Sequence, residues 1–530
     1  MPLLKTFAAA LLALAATVLV LRTLNPLPPL EPRQASRALT EAGRTPLGRG
    51  VQRLTAAHPG LDGLRMLDDG RVAFAARVLL ARAAARSLDV QYYIWHGDLS
   101  GSLLLHEMRL AADRGVRVRM LLDDNGTRGL DAALAALDRH PGIEVRLFNP
   151  FVIRNPKAIG YLLDFARLNR RLHNKSFTAD NQATIVGGRN VGGEYFGARD
   201  DGLFANLDVL AIGPVVEDVS ADFDRYWNSA SAYPAERILP AVEPERIAEI
   251  AEAAAASARA PAARDYLEAI RTLPFVARVE AGAMEFEWAP ARMVSDDPAK
   301  ALGEAEPHEL LSHALAGVLG APRREVALVS GYFVPTTASV EAFADLAGRG
   351  VEVSILTNSW TATDVAVVHA GYAGRRKALL EAGVRLYEMR GGSDGASAPD
   401  RLLLIGSGGG SPGSVGPLSP RATTLHAKTF AVDRRRMFVG SFNFDPRSIH
   451  LNTELGFVIE SPAFATALAR SFTDRIPARA YEVRLASDGA LVWIERTGGG
   501  TVRHDVEPET TRLQRWSFAL LSRLPIEWLL

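Results

Sequence analysis

The chain has 530 residues, of which 48% are hydrophobic and 23% charged; this is a globular composition with length for about two to four domains. Lysine plus arginine and aspartate plus glutamate both total 60, and this balance argues against the basic surface that nucleic-acid binding requires. The sequence has no cysteine, which excludes disulfides, cysteine–zinc sites and a thiol nucleophile.

The N-terminus has the pattern of an export signal or a signal-anchor. Lys5 precedes an uncharged, mostly apolar run from Thr6 to Leu21, which ends at Arg22 before the proline-rich segment 25–32. Because no convincing small-x-small cleavage site precedes the prolines, we favour an uncleaved anchor in the cell (inner) membrane. The flanking charges leave the side of the catalytic body open.

The chain then contains one pattern twice. Residues 114–124, RGVRVRMLLDD, correspond to residues 349–359, RGVEVSILTNS. A helical stretch (103–113; 340–348) precedes each segment, and an apolar β-rich stretch (88–95; 326–334) precedes each of those helices. A further helix and a strand (142–148; 383–387) follow in both copies. Strands alternating with helices predict βαβ units and a largely parallel sheet, and their repetition in one order predicts a duplication.

These features divide the chain into five parts. They are an N-terminal anchor and linker (1–32), a first α/β domain (33–239), a connecting segment with a helix at 245–259 (240–323), a second α/β domain (324–480) and a C-terminal extension (481–530). A Gly/Ser/Pro-rich insertion at 391–420 predicts either a lid or a plain surface loop. The tryptophans, leucines and arginines of 513–530 suit either a membrane interface or packing against the body.

Each domain carries the same constellation of polar residues, and the two align without a gap over 173–190 and 426–443. The histidine and lysine are two residues apart on a strand, so both side chains point to one face. The aspartate falls in a hairpin turn, where its carboxylate accepts backbone N–H groups. The returning strand ends at Gly-Gly or Gly-Ser, which allows close approach of a phosphate, and then delivers an asparagine. The residues are His173, Lys175, Asp180, Gly188 and Asn190 in the first copy and His426, Lys428, Asp433, Ser441 and Asn443 in the second.

Two such sets fit displacement at a phosphodiester. One neutral histidine attacks phosphorus while a protonated histidine opposite it protonates the leaving oxygen. Two lysines and two asparagines neutralise the equatorial oxygens without a metal ion or another cofactor. The phosphohistidine that remains then passes to water, which gives hydrolysis, or to an alcohol, which gives transfer.

A carboxylate follows each motif at the start of an apolar strand. We predict that Asp208 orients His173 and that Glu454 orients His426, each fixing the tautomer of its imidazole. The alternative is that both are surface acids at strand ends.

The doubled pattern His-x-Lys-x4-Asp-x6-Gly-Gly/Ser-x-Asn resembles the signature of the phospholipase D superfamily. Segments 172–196, 207–215 and 524–530 are further similar to bacterial cardiolipin synthase C-type proteins. The resemblance implies two tandem α/β/α domains of the phospholipase D type, forming a pseudo-dimer with one shared active site. It assigns catalysis to the two His–Lys pairs, supported by Asp180 and Asp433, and phosphate contacts to Asn190, Asn443, Ser441 and Gly188. His173 is our predicted nucleophile, although the sequence does not distinguish the two histidines. Gly188 in place of a serine departs from the second motif and predicts an asymmetric pocket.

Three functions remain open at this point. The first is a cardiolipin synthase that moves a phosphatidyl group from a phospholipid donor through phosphohistidine to phosphatidylglycerol. The second is a hydrolase of the same superfamily, either a phospholipase D or a nuclease. The third is an inactive membrane scaffold, against which the two intact motifs argue. The predicted partners are phosphatidylglycerol, a second phospholipid and the membrane, with no nucleic acid; donor identity, any accessory protein and the oligomeric state stay open.

Overall fold

The computed structural model describes residues 2–198, 204–363, 365–391 and 424–521. Within them the helices are α1 (Pro2–Leu24), α2 (Pro46–Thr55), α3 (Gly70–Ala83), α4 (Leu99–Asp113), α5 (Asp131–Asp138), α6 (Ala158–Leu168), α7 (Gly193–Phe196), α8 (Val215–Trp227), α9 (Pro244–Arg259), α10 (Pro261–Arg271), α11 (Pro274–Glu280), α12 (Leu311–Leu319), α13 (Thr337–Gly348), α14 (Ala366–Ala373), α15 (Arg376–Glu381), α16 (Pro446–His450), α17 (Pro462–Asp474), α18 (Ile476–Arg479) and α19 (Arg512–Leu521).

The strands of the same residues are β1 (Asp62–Leu67), β2 (Ser87–Tyr92), β3 (Arg117–Asp123), β4 (Ile143–Phe148), β5 (Ser176–Ala179), β6 (Ala183–Gly187), β7 (Phe204–Ala205), β8 (Asp208–Ile212), β9 (Ala232–Pro234), β10 (Glu287–Ala289), β11 (Ala291–Ser295), β12 (Glu325–Ser330), β13 (Glu352–Asn358), β14 (Arg385–Met389), β15 (Thr424–Leu425), β16 (Lys428–Val432), β17 (Arg436–Gly440), β18 (Leu455–Ile459), β19 (Ala480–Leu485), β20 (Leu491–Thr497) and β21 (Gly500–His504).

Two large sheets repeat one strand order. The first sheet runs β10-β1-β8-β6-β5-β2-β3-β4-β9, and the second runs β11-β18-β17-β16-β12-β13-β14-β19-β20-β21. In both, three neighbouring strands are parallel (β2-β3-β4 and β12-β13-β14), and the histidine-motif hairpin (β5-β6 and β16-β17) pairs antiparallel beside them. The predicted βαβ units and their duplication are therefore confirmed.

Helices cover both faces of each sheet. In the first half α3, α4 and α5 contact one face, and α8 contacts the other. A further core joins the halves, since Val186 and Val209 of the first sheet belong to the same buried cluster as Val439 and Phe457 of the second. The two copies of the α/β/α arrangement are thus packed into one body, with their motif strands close to the shared interface.

The sheets do not respect the predicted segment boundaries. The connecting segment 240–323 supplies β10 to the first sheet and β11 to the second, and the C-terminal extension supplies most of β19 and all of β20 and β21. These are short or peripheral strands with weak alternation, which sequence periodicity does not separate from loops. The predicted loop at 391–420 lies outside the described residues except for Gly391, as do the last residues of the C-terminal ending.

Both motif hairpins turn through left-handed residues. Asp180 and Asn181 have φ of 52° each, and Asp433 and Arg434 have φ of 54° and 53°. Two consecutive left-handed residues make the type I′ turn whose twist matches that of a β-hairpin, and aspartate tolerates this conformation better than most residues. The predicted turn at each motif aspartate is confirmed.

Helix α1 holds the apolar N-terminus. Its residues Lys5–Leu24 have a mean hydropathy of 2.2 and are not buried, so by length and composition they can cross a membrane. The linker that follows is attached to the first half, because the Arg33 guanidinium donates hydrogen bonds to the carbonyls of Asn228, Ser229 and Ala232.

Candidate active site

Each motif histidine is held by the backbone of the opposite half. The His173 N–H donates to the carbonyl of Thr453 at 3.0 Å, and the His426 N–H donates to the carbonyl of Ala205 at 2.7 Å. Both side chains are nearly enclosed, with 6% and 5% exposed. The duplicated motifs therefore meet at one interface, and each half helps to hold the histidine of the other.

The imidazole of His173 faces a carboxylate from the second half. Its Nδ1 lies 2.7 Å from Oε2 of Glu454, which is itself buried. The hydroxyl of Ser441 donates to the same carboxylate oxygen at 2.5 Å. A carboxylate beside Nδ1 favours the tautomer with the proton on Nδ1, which leaves the lone pair of Nε2 available for attack.

The imidazole of His426 faces an amide instead. Its Nδ1 lies 2.9 Å from Nδ2 of Asn206. The backbone N–H of Leu207 donates to Oδ1 of Asn206 at 2.9 Å, so the NH₂ group is the part that points at the ring. The Lys428 ammonium also approaches the same Nδ1, at 3.1 Å. Two donors directed at Nδ1 leave the proton of a neutral His426 on Nε2.

The predicted histidine–carboxylate pairs are therefore wrong. Asp208 contacts neither histidine; its carboxylate accepts from Arg77 at 2.8 Å and lies 3.4 Å from Arg189. Glu454 contacts His173 rather than His426. The strand register gives the reason: Gly187 pairs with Asp208 and Gly440 with Gly456, so the counterpart of Glu454 in the first half is Asn206.

The Gly-Ser difference between the motifs follows from this asymmetry. A Cβ atom at Gly188 would lie 2.3 Å from Oδ1 of Asn206, so glycine makes room for that amide. In the second half Ser441 uses its hydroxyl to hold Glu454. Both residues support the group that contacts a histidine, and their predicted phosphate contacts stay a prediction.

The motif lysines and three tyrosines enclose the histidines. Lys175 donates to the His173 carbonyl at 2.6 Å and Lys428 to the His426 carbonyl at 2.5 Å. The ring of Tyr93 packs edge-on against His173 at 5.1 Å, and the rings of Tyr195 and Tyr332 pack against His426 at 5.4 and 6.0 Å. The ammonium groups also lie over these rings, Lys175 over Tyr93 and Lys428 over Tyr332.

The motif aspartates lie at the other end of the hairpins. Asp180 accepts hydrogen bonds from the backbone N–H groups of Ala85, Arg86 and Ser87, at the entry to β2. Asp433 does the same for residues 323–325 before β12. A whole strand separates each aspartate from its histidine, so the contacts of both aspartates fix the sheet, and the support for catalysis that we predicted is indirect.

The motif asparagines differ between the halves. Asn190 donates from Nδ2 to the Tyr195 hydroxyl at 2.9 Å and accepts from the Ile94 N–H at 3.3 Å. Oδ1 of Asn443 is buried and has no hydrogen-bond partner among the described residues. Asn190 therefore holds Tyr195 against His426, whereas the contact of Asn443 with a bound phosphate stays a prediction.

Burial and positive charge set the ionisation of the pocket. Burial lowers the pKa of His173 and of His426 well below the ordinary imidazole value, and Lys175 and Lys428 lower both further. Burial also lowers the pKa of Lys175, and it raises the pKa of the Glu454 carboxyl to about 7. The pocket thus disfavours further positive charge, and an anionic phosphodiester would relieve that penalty.

Two supporting residues escaped the sequence analysis along with Asn206. Asp123, at the end of β3, accepts the N–H of Leu172 at 2.8 Å, and Asn358, at the end of β13, accepts the N–H of Leu425 at 2.9 Å. Each fixes the residue just before a motif histidine. The sequence repeat could have identified them, because Asp123 and Asn358 occupy the same position in the repeated segments 114–124 and 349–359.

Comparison with known proteins identifies the family of this chain. The family model described as "Cardiolipin synthase, PLD-like domain" matches residues 78–227 and 315–476, which contain the two motifs. Cardiolipin synthase C of Escherichia coli is 46% identical over 484 residues, 91% of this chain and 99% of that protein. An uncharacterized protein of Helicobacter pylori is 30% identical over 490 residues, 90% of this chain and 92% of that protein. Cardiolipin synthase A of Yersinia pseudotuberculosis is 25% identical over 416 residues, 78% of this chain and 68% of that protein. The chain therefore belongs to the cardiolipin synthase, PLD-like domain family.

Proposed function

We propose that this chain is a cardiolipin synthase that transfers a phosphatidyl group from a phospholipid donor to phosphatidylglycerol. One observation carries the proposal: a carboxylate-held histidine and an amide-held histidine come from opposite halves into one enclosed, cationic pocket. The two histidines are therefore chemically different, as the two ends of a phosphoryl displacement require.

In the first step, Nε2 of His173 attacks the phosphorus of the donor lipid. The new N–P bond forms as the bond from phosphorus to the leaving alcohol oxygen breaks. That oxygen takes the Nε2 proton of His426 while the Lys428 ammonium, 3.1 Å from Nδ1, gives Nδ1 a proton, so the ring stays neutral. The phosphorylated ring of His173 gains positive charge, which the Glu454 carboxylate at 2.7 Å from Nδ1 stabilises. Asn206 carries no charge and cannot do this for His426, so His173 is the nucleophile in our proposal.

In the second step, the hydroxyl of phosphatidylglycerol attacks the phosphohistidine. Its proton goes to Nε2 of His426, the P–O bond of the product forms, and the N–P bond breaks to restore His173. As Nε2 takes that proton, Nδ1 of His426 returns its own proton to Lys428, 3.1 Å away, which restores the starting state. Lys175 and Lys428 offset the charge on the phosphoryl oxygens without a cofactor.

Enclosure of the pocket favours transfer over hydrolysis. The histidines are nearly buried behind Tyr93, Tyr195 and Tyr332, which leaves little room for water beside phosphorus. The close similarity to a protein named cardiolipin synthase C supports cardiolipin as the product.

The phospholipid substrates imply work at a membrane. We propose that α1 anchors the chain in the inner membrane, since its residues Lys5–Leu24 are long and apolar enough to span one. Helix α19 also exposes Leu513 and Trp516, which suits the interfacial role considered for the C-terminus; that role stays a prediction.

The test is a lipid assay on the purified full chain. Vesicles of phosphatidylglycerol, with and without phosphatidylethanolamine, should yield cardiolipin, and EDTA should leave the rate unchanged. Comparing the two vesicles identifies the donor. Release of phosphatidic acid without cardiolipin would show a hydrolase instead, and no turnover of either lipid would refute the proposal.

A further inference from the structure

Helix α6 exposes an apolar surface immediately before the first histidine motif. Its outward side chains are Ala158, Leu162, Phe165 and Ala166, and Leu162 and Phe165 are 71% and 41% exposed. The helix bends at Asp164, whose φ of −148° and ψ of 53° are not helical, yet apolar side chains are exposed on both sides of the bend. Asp164 is paired with Arg167 at 2.7 Å, so the bend carries no net charge from this pair. Large exposed apolar side chains grouped in this way mark a binding surface.

The inner side of α6 is connected to the histidine pocket. The Tyr161 hydroxyl donates to Oδ1 of Asn125 at 3.2 Å, and the side chain of Asn125 also interacts with Tyr93. Tyr93 in turn packs against His173. The apolar surface of α6 is therefore separated from the nucleophile by a short chain of side chains, and it lies at the edge of the pocket.

The same helix contacts the candidate membrane span. Helix α1 lies against α6. Among the described side chains of α1, Val18 alone is half-buried and the others are exposed. If α1 spans the bilayer, a helix that packs against it is itself at the membrane. The exposed side chains of α6 then continue the apolar surface of α1 toward the pocket.

We propose that α6 is the membrane-docking helix of this protein. Leu162 and Phe165 insert into the acyl-chain region of the phospholipid bilayer beside α1, so that the pocket opens onto the headgroup layer and takes its lipids from there. The inference rests on the proposed function, because only an enzyme that acts on phospholipids needs its pocket at the bilayer. Its physical basis is the transfer of exposed apolar side chains from water into hydrocarbon.

A fluorescent probe can locate α6 relative to the bilayer. The chain has no cysteine, so Leu162→Cys gives one labelling site on the full chain. Leu110→Cys is a matched control. Leu110 is 39% exposed and lies in the last turns of α4, just before β3. The start of β3 is at the edge of the sheet that is far from the histidines. In vesicles of phosphatidylglycerol and phosphatidylethanolamine, nitroxide-labelled lipids should quench a probe at 162 and not at 110. Equal quenching at the two positions would overturn the proposal.

Activity gives an independent measurement. The double variant Leu162→Asp/Phe165→Asp should lose at least about tenfold in kcat/KM on long-chain phosphatidylglycerol vesicles, because two carboxylates cannot enter hydrocarbon. It should keep wild-type activity on a short-chain phosphatidylglycerol that is monomeric in water, which also shows that it is folded. Leu110→Asp should keep both activities. Unchanged vesicle activity in the double variant would overturn the inference. If the wild-type chain were inactive on both substrates, the proposed function would be refuted. The probe measurement would then decide by itself whether α6 enters the bilayer.

Discussion

Replacing Glu454 by glutamine tests the asymmetry of the two histidines most directly. The change keeps the shape of the side chain and an oxygen that can accept from Nδ1 of His173, but removes the charge. Since Glu454 lies 2.7 Å from Nδ1 in a buried site, the loss converts a charge-assisted hydrogen bond into a neutral one. We expect a penalty of about 1.5–3 kcal/mol on the step that forms the phosphohistidine, or roughly ten- to hundredfold in kcat/KM.

The pH profile adds a readout that a purely structural role would not change. Burial raises the pKa of the Glu454 carboxyl to about 7, so this group is protonated below that pH and its carboxylate is lost as pH falls. Burial and the two lysines lower the pKa values of both histidines well below the ordinary imidazole value, which moves them away from the pKa of Glu454. Wild-type kcat/KM should therefore fall as pH drops below about 7, and the Glu454→Gln profile should be flat there.

The assay is cardiolipin formation from phosphatidylglycerol vesicles between pH 5.5 and 8.5, a range of about three units centred on that pKa. Glu460→Gln is the matched control, because it makes the same change at an exposed glutamate a few residues away. A Glu454→Gln enzyme with wild-type kcat/KM, or one that keeps the acid limb near neutral pH, would refute the role given to the carboxylate.

Three further predictions concern the motifs. His173→Ala and His426→Ala should each abolish cardiolipin formation. With a nitrophenyl donor, whose leaving group needs no proton, only His426→Ala should still form the covalent phosphoryl adduct. An adduct on His173→Ala would reverse the roles of nucleophile and general acid. Asn206→Asp should slow turnover on vesicles at least about tenfold, because a carboxylate at Nδ1 moves the proton of His426 away from Nε2, and an unchanged rate would remove Asn206 from the mechanism. Asp180→Ala should lower the free energy of unfolding by about 3 kcal/mol, measured by urea denaturation, because backbone N–H groups lose a charged acceptor. Asp433→Ala should lower the free energy of unfolding to a similar extent. The folded fraction of each variant should keep kcat within about threefold of wild type, because neither aspartate contacts a histidine. A loss of kcat without a loss of stability would indicate a catalytic role for the aspartate.

Local pattern determined much of this protein. The alternation of strands and helices, repeated in one order, predicted the two sheets and their parallel centres, and the motif aspartates predicted the hairpin turns. The ungapped spacing of His173 and His426 with their lysines identified which residues share a pocket. These properties depend on neighbours a few residues apart, so spacing and residue type suffice to predict them.

Tertiary structure decided which group faces which histidine. Aligning Asp208 with Glu454 by their charge was a natural comparison, but the pairing of Gly187 with Asp208 and of Gly440 with Gly456 shifts the correspondence to Asn206. Each partner then crosses to the other half of the molecule. Strand register and the contact between halves depend on side chains that are far apart in the chain. A shift in register moves a different side chain toward the histidine but changes the local hydrophobic pattern too little to be detected in the sequence.

The same reason explains the glycine, the aspartates and the edges of the sheets. Gly188 is required by an amide that packs on it only in the folded protein, and Asp180 binds backbone N–H groups from the entry to β2. The strands β10 and β11 join different sheets although they are adjacent in sequence. The sequence by itself therefore determined the elements and the chemistry available to the site, whereas the packing of two halves decided which histidine has a carboxylate partner, because that choice depends on contacts between residues that no local pattern relates.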